Sequence, residues 1–232
     1  MTSPEDKDRS ADGVANGQND LELSVRQPGD EGFEPPLTQG THVYLRPVAP
    51  EDYAALRMAD LSPQLGMRWR FRGTTPTFEE WVQRSQGTLA QFLVITSAKH
   101  QAIGIVVAYG HSFQDQHVYV AIASLQPAAR SPLLMLGSAM FIQYVFRVWN
   151  FRKMYFELPA YNLSQFAYAE RHLLVQEARL REHVYYDGKF WDKVILALYR
   201  TTWEGRAPRV LAAANAGSDK RGVLRRHDGQ SR

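Results

Sequence analysis

Glu157 lies inside an apolar run, between Phe156 and Leu158, in the stretch YFELPAYN (Tyr155 to Asn162). A carboxylate in such surroundings suits proton transfer if it faces a cleft. It is an ordinary solvated strand residue if it faces water, because strand side chains alternate. A second signal comes earlier. QPAARSPLLMLGSAMFIQYVF (Gln126 to Phe146) passes from a turn-rich, basic segment into a long apolar helix. Ser131 suits the N-cap and Pro132 the first helical position. The unsatisfied N–H groups of such a start attract anions. The same junction also fits the capped start of a buried helix with no ligand. A third stretch, RWRFRG (Arg68 to Gly73), alternates arginine with aromatic residues. If extended, it sets three arginines on one face, either for a carboxylate or as a solvated face over packed Trp69 and Phe71. His111, Asp115 and His117 flank a turn, but their spacing matches no strong metal signature, so no metal is expected. Tyr185, Tyr186 and Trp191 read as packing residues. No Walker loop, Ser-His-Asp order or H-E-x-x-H motif is present.

The elements that position these residues follow from periodicity and punctuation. Val43 to Val48 reads as a short strand ended by Pro47. Pro50, Glu51 and Asp52 open a helix with Tyr53, Ala55 and Leu56 facing inward. A second helix starts at Thr77, which forms a capping box with Glu80, and Phe78, Trp81 and Val82 share its face. Three strand-like runs follow, Phe92 to Thr96, Ala102 to Tyr109 and His117 to Leu125, spaced as antiparallel hairpins. The apolar helix runs from Pro132 to about Trp149 and needs burial nearly all round. KMYFEL (Lys153 to Leu158) is a strand, and a helix is expected from about Leu163 to His172. Two long strands, Ala178 to Tyr186 and Phe190 to Tyr199, flank Asp187-Gly188, a dipeptide that favours a tight hairpin turn. The order is βααβββαβαββ. The helix between two strands of one sheet predicts a right-handed crossover, hence a locally parallel pair in a mixed sheet.

The chain has 232 residues, a net charge of +3 and no cysteine. That bounds it to one domain with tails, excludes disulfides and thiolate chemistry, and fits a reducing compartment such as the cytoplasm. The segment MTSPEDKDRS has no apolar run and does not read as a secretory signal. The longest apolar stretch, Leu133 to Phe146, is too short to span a bilayer. Residues 1–40 carry nine acids against three bases and few aromatics, so they read as a disordered acidic tail. Residues 206–232 carry seven bases against two acids and read as a disordered basic tail, solvated rather than bound to nucleic acid. The folded domain is then expected over residues 41–205.

That element order resembles the GNAT superfamily of acyl-CoA N-acyltransferases. Three stretches look like its ribosomal-protein N-terminal acetyltransferase (RimJ/RimL-like) branch: VYLRPVAPEDYAAL (Val43 to Leu56), YFELPAYN, and REHVYYDGKFWDKVILALY (Arg181 to Tyr199). The resemblance implies an α/β fold with a mixed, mostly antiparallel sheet flanked by helices and a splayed central strand pair. It implies acetyl-CoA as cosubstrate and a primary amine as acceptor, on a small molecule or a protein N-terminus. A homodimer is compatible with it. Ile122, Ala123, Ser124 and Leu125 would pair with the pantetheine arm. Arg130 and the first-turn N–H groups of Leu133, Leu134 and Met135 would face the pyrophosphate, with Asn162 of the linker joining the cofactor set. Glu157 would take the proton from the amine. The family's donor to the departing thiolate is a tyrosine whose slot here is Ala169, so the adjacent Tyr168 is assigned that role.

The chain departs from the family at the loop. The pattern Gln/Arg-x-x-Gly-x-Gly/Ala falls on Ala129 to Leu134, where the glycine slots hold Pro132 and Leu134. After the following helix, Leu173-Leu174 replaces the family's Gly-Phe. Two readings follow: an N-acetyltransferase with an altered phosphate cradle, or a non-catalytic GNAT-fold binding protein that no longer holds acetyl-CoA.

Overall fold

The structure is a computed structural model that describes residues 40–62, 65–66, 70–125 and 132–212, apart from the side chains of Gln165, Ala167 and Tyr168. Seven strands form one sheet in the order β1-β2-β3-β4-β5-β7-β6. They are β1 (Val43–Pro47), β2 (Ala90–Thr96), β3 (Ala102–Ser112), β4 (His117–Ser124), β5 (Lys153–Pro159), β6 (Val175–Tyr186) and β7 (Lys189–Tyr199). β1 to β4 form an antiparallel meander. β4 and β5 are parallel, joined by the crossover helix α3 (Pro132–Val148), and β5-β7-β6 is again antiparallel. The expected mixed α/β sheet is therefore present.

Short-range chemistry explains the helices. After β1, Arg46 pairs bidentately with Asp52 at 2.7 and 3.0 Å, and the Asp52 carboxylate also accepts the Ala49 N–H. This closes a 3-10 turn (Pro50–Asp52) onto the strand and starts α1 (Tyr53–Asp60). Leu56 and Asp60 of α1 are buried, whereas Ala55 is exposed, contrary to expectation. At ~100° per residue, Ala55 sits on the far side from the row through Tyr53, Leu56 and Asp60. α2 (Phe78–Gln86) begins with the expected capping box between Thr77 and Glu80. Trp81 is buried and its indole N–H donates to Asp60 at 2.8 Å. Burial pushes the Asp60 carboxyl up, against the Trp81 hydrogen bond and the charge of Arg70. Phe78 is exposed but stacks on Trp81.

α3 lies against the sheet with most of its residues buried, as its composition requires. Two glycines set how close it lies. A Cβ on Gly137 would stand 2.3 Å from Val94 Cγ1 on β2, and one on Gly104 of β3 would stand 2.3 Å from Leu134 Cδ1 in the first turn of α3. The other end of α3 is clasped by Arg200, which donates to the carbonyls of Phe146 (2.6 Å), Trp149 (2.6 Å) and Phe151 (2.8 Å). A cation at these orphan carbonyls also suits the negative end of the helix dipole. No described helix is long and apolar enough to cross a membrane.

The expected helix over Leu163 to His172 is instead a 3-10 segment (Ala160–Gln165) and a short helix α4 (Ala167–His172), broken at Phe166. The C-terminal boundary also differs. Residues 200–212 form a further helix, α5, so ordered structure extends past the expected limit at residue 205. Trp203 and Ala207 are buried, Val210 and Leu211 pack on the same core, and the Trp203 indole donates to Gln143 at 2.7 Å. That i, i+4, i+7, i+8 row is the amphipathic signal inside a segment whose net charge suggested a tail. Residues 1–39 and 213–232 lie outside the described residues.

The hairpin between β6 and β7 turns at Asp187 and Gly188, whose φ angles of 52° and 76° fit the turn read from the dipeptide. β6 is the outermost strand and its register slips twice, near Glu177 and between Leu180 and Val184. At the first slip Glu177 accepts hydrogen bonds from Tyr199, from Lys153 (2.9 and 3.1 Å) and from Tyr155 (2.8 Å). Burial alone would raise this carboxyl, but those bonds and the Lys153 charge hold it down to about 2.

Two predictions follow from this packing. Gly137→Ala forces a methyl into Val94 and should cost roughly 1–3 kcal/mol in urea unfolding, while Gly205→Ala, which meets nothing within 4 Å, should not. Glu177, held below its ordinary value of 4.5, stabilises the fold above pH 4.5, and that contribution is lost as pH falls toward about 2. Glu177→Gln should therefore be less stable at neutral pH, and its unfolding free energy should fall less between pH 4.5 and 2 than the parent's.

Candidate functional site

β4 and β5 share only three rungs, His117 with Lys153, Val118 with Met154 and Tyr119 with Tyr155. Past Tyr119 the strands part: β4 continues to Ser124 beside β3, and β5 continues to Pro159 beside β7. The far half of β4 thus has one edge with no strand partner among the described residues. The Leu125 N–H is given to Ile103 on β3 at 3.0 Å. Alternation then turns the backbone groups of Ala123 toward β3 as well and those of Ile122 and Ser124 toward the open edge. Of the four residues expected to meet an extended ligand, Ile122 and Ser124 are so oriented, and Ala123 and Leu125 are not.

The first turn of α3 lies beside the end of β4. Leu134 is buried on Gly104, next to the Ala123 carbonyl, and Met135 projects outward. Leu133 is half-buried. Arg130 and Ser131, the expected cap, lie outside the described residues. Asn162 sits half-buried in the 3-10 segment that follows β5, and Tyr168 is the second residue of α4.

A cleft of about 430 Å³ opens over the parting strands on the face away from α3. Glu157 lines it, together with Tyr109, Lys193, Arg70, Arg72 and Arg84. Glu157 faces it because Met154, Phe156 and Leu158 take the opposite side of β5 into the main core. Its one partner among the described residues is Lys193 of β7, whose ammonium donates to Oε2 at 3.1 Å. Burial, then the Glu157 charge and Tyr119, push the Tyr109 phenol up to about 12, so it stays a proton-bearing donor at neutral pH. Burial, then Glu157 and Tyr155, raise Tyr119 too, against Lys153. Tyr109, Tyr119 and Tyr155 form a row of rings with centroids 5.7 and 5.2 Å apart, edged by His117.

The described part of the arginine stretch is not extended. Arg70 to Gly73 form a turn, with Arg72 and Gly73 at φ 47° and 84°, stapled by the Gly73 N–H to Gly66 (2.7 Å) and the Thr74 N–H to Phe71 (2.9 Å). Phe71 packs inward, and Arg70 and Arg72 both line the cleft; Arg68 and Trp69 lie outside the described residues. Burial lowers Arg70 against the charge of Asp60, and it also donates to Ser85 at 3.4 Å. Asp115 accepts from Ser112, His111 packs on Phe113, and His117 belongs to the tyrosine row, so these three residues diverge. Tyr186 and Trp191 pack with Tyr161, whereas Tyr185 is exposed beside Phe190.

Sequence reasoning missed Tyr109, Arg84 and Lys193. Only Lys193 had a readable signal, a charge directly before the apolar run Val194 to Leu198 in a strand that pairs with β5.

No family model and no curated protein matches the chain. Solved structures do match its fold. A spermidine N-acetyltransferase from Vibrio cholerae, solved with CoA and spermine, aligns at TM-score 0.58 and 14% identity over 71% of this chain and 99% of its own. A GCN5-related N-acetyltransferase from Brucella melitensis aligns at TM-score 0.57 and 21% identity over 77% of this chain and 83% of its own.

Proposed function

We propose that the chain transfers an acetyl group from acetyl-CoA to a primary amine. The observation that carries this reading is the split between β4 and β5 with Glu157 standing at the mouth of a cleft on its far side. The shared fold with N-acetyltransferases supports it, as does the Vibrio protein's complex with CoA and spermine for an amine as acceptor. The RimJ/RimL-like stretches favour a peptide N-terminus or a similarly small amine.

Acetyl-CoA supplies an acyl group already activated as a thioester. The open edge of β4 at Ile122 and Ser124 offers backbone donors and acceptors to an extended pantetheine arm. The N–H groups of Leu133, Leu134 and Met135, with the α3 dipole, attract the pyrophosphate, and Arg130 adds charge. Pro132 has no N–H, but at that position none is needed for the helix. Asn162 stands at the β5 exit to hold the arm. On the other face Glu157 takes the proton from the incoming ammonium, leaving a nucleophilic nitrogen. A C–N bond forms, the C–S bond breaks, and Tyr168 gives its proton to the thiolate; the second proton, shed by the acylated nitrogen, restores the phenol, and Glu157 passes its own proton to solvent. Lys193 keeps Glu157 oriented before the amine arrives and must release it when the amine binds.

Calorimetric titration should give a micromolar constant for acetyl-CoA, about −8 kcal/mol. Ligand at ~100 times that constant should then stabilise the fold by ~2.7 kcal/mol. No binding at millimolar acetyl-CoA would leave the chain as a GNAT-fold binding protein. Glu157→Gln should lower turnover on the order of 10²–10⁴-fold with the acetyl-CoA constant unchanged. Equal turnover would remove Glu157 from the chemistry.

A further inference from the structure

The cleft's charge speaks to the acceptor, given the transfer reading above. Its described lining carries Arg70, Arg72, Arg84 and Lys193 against a single acid, Glu157. Lys193 and Glu157 are paired with each other. Arg70 is turned toward Ser85 and the buried Asp60. Arg72 and Arg84 are exposed and make no ion pair among the described residues. The stapled turn at positive φ sets the Arg72 backbone at the cleft, and the Arg84 guanidinium lies 6.0 Å from the Phe71 ring. A guanidinium is a planar fork for carboxylate or phosphate oxygens. A polyamine would bring further ammonium groups to a wall of like charge, with no second carboxylate among the described lining residues to receive them.

We infer that the acceptor is an amine bearing a carboxylate or phosphate, with the amine at Glu157 and the anion at Arg72 and Arg84. The cleft volume is near the lower end of small-molecule sites, so the acceptor is of amino-acid to dipeptide size, or is the first residues of an acidic peptide. Repulsion by the arginine wall, as much as attraction, sets the selectivity.

The test measures CoA release with acceptors matched so that one member has the anion and the other does not: alanine against alaninamide, the C-terminally amidated dipeptide Asp-Ala against amidated Asn-Ala, and spermidine. The acidic member of a pair should show at least ~10-fold higher kcat/KM, by a margin that shrinks with added salt. Whichever pair shows it separates a free amino acid from a peptide as the source. The double variant Arg72→Gln/Arg84→Gln, both at exposed positions, should raise KM for the acidic acceptor about 10-fold, leaving its kcat and the acetyl-CoA constant near the parent's. In parallel, glutarate, which has no amine, is titrated into the parent and the double variant. Saturable binding that the variant loses supports the anion site even if no acceptor is acetylated, and then the transfer reading alone falls. Equal use of acid and amide, or preference for spermidine, overturns the inference while transfer stands. Absence of glutarate binding at millimolar concentration overturns it as well.

Discussion

The close seat of α3 on the sheet fixes the rest of this fold. Gly137 lets the helix backbone settle onto Val94, and Gly104 lets Leu134 do the same from the opposite direction. A Cβ at either place would stand under 3.0 Å from its neighbours, so Val94, Leu134 or the helix itself would have to move. Interiors are packed too densely for such a shift to be absorbed locally. The parting of β4 from β5 lies next to this seat. β4 stays with β3, while β5 pairs along its full length with β7, and only three rungs hold the two halves together.

Two carboxylates share one face of β5, β6 and β7 and have opposite settings. Glu177 is saturated, with a lysine and two phenols around it, and serves to fasten strands. Glu157 has one described partner, the ammonium of Lys193, which also lines the cleft. A group whose bonds are all taken is poorly placed to exchange protons with a visitor. One held by a single movable ammonium is well placed, because an incoming ammonium can take over the same role.

Much of this was legible in the chain. The Thr77/Glu80 box, the Asp187-Gly188 turn, Pro132 and the crossover order are local signals, and each matches the structure. Glu157 was legible because its neighbours on both sides are apolar. Contacts across the sheet were not. The pairing of Glu157 with Lys193, and the convergence of Tyr109 and Arg84, depend on registers that no local pattern encodes. For RWRFRG the extended face was only one possibility, and alternation alone does not reveal that the Gly73 and Thr74 N–H groups staple Arg70 to Gly73 into a turn. Residues 206–212 were read by their charge, which hid the apolar row that binds them to the core.

Both rims of the sheet are blunt. β1 is five residues long and ends in Pro47, which has no N–H to offer a further strand. β6 is long, but its two register slips and the positive φ of Glu182 (49°) break the row of groups along its outer side. An open seven-stranded sheet is exposed to edge-to-edge growth with other chains. Here the irregularity that brings Glu177 onto Lys153 also denies a second molecule a continuous template, so the fastening of β6 doubles as protection against misassembly.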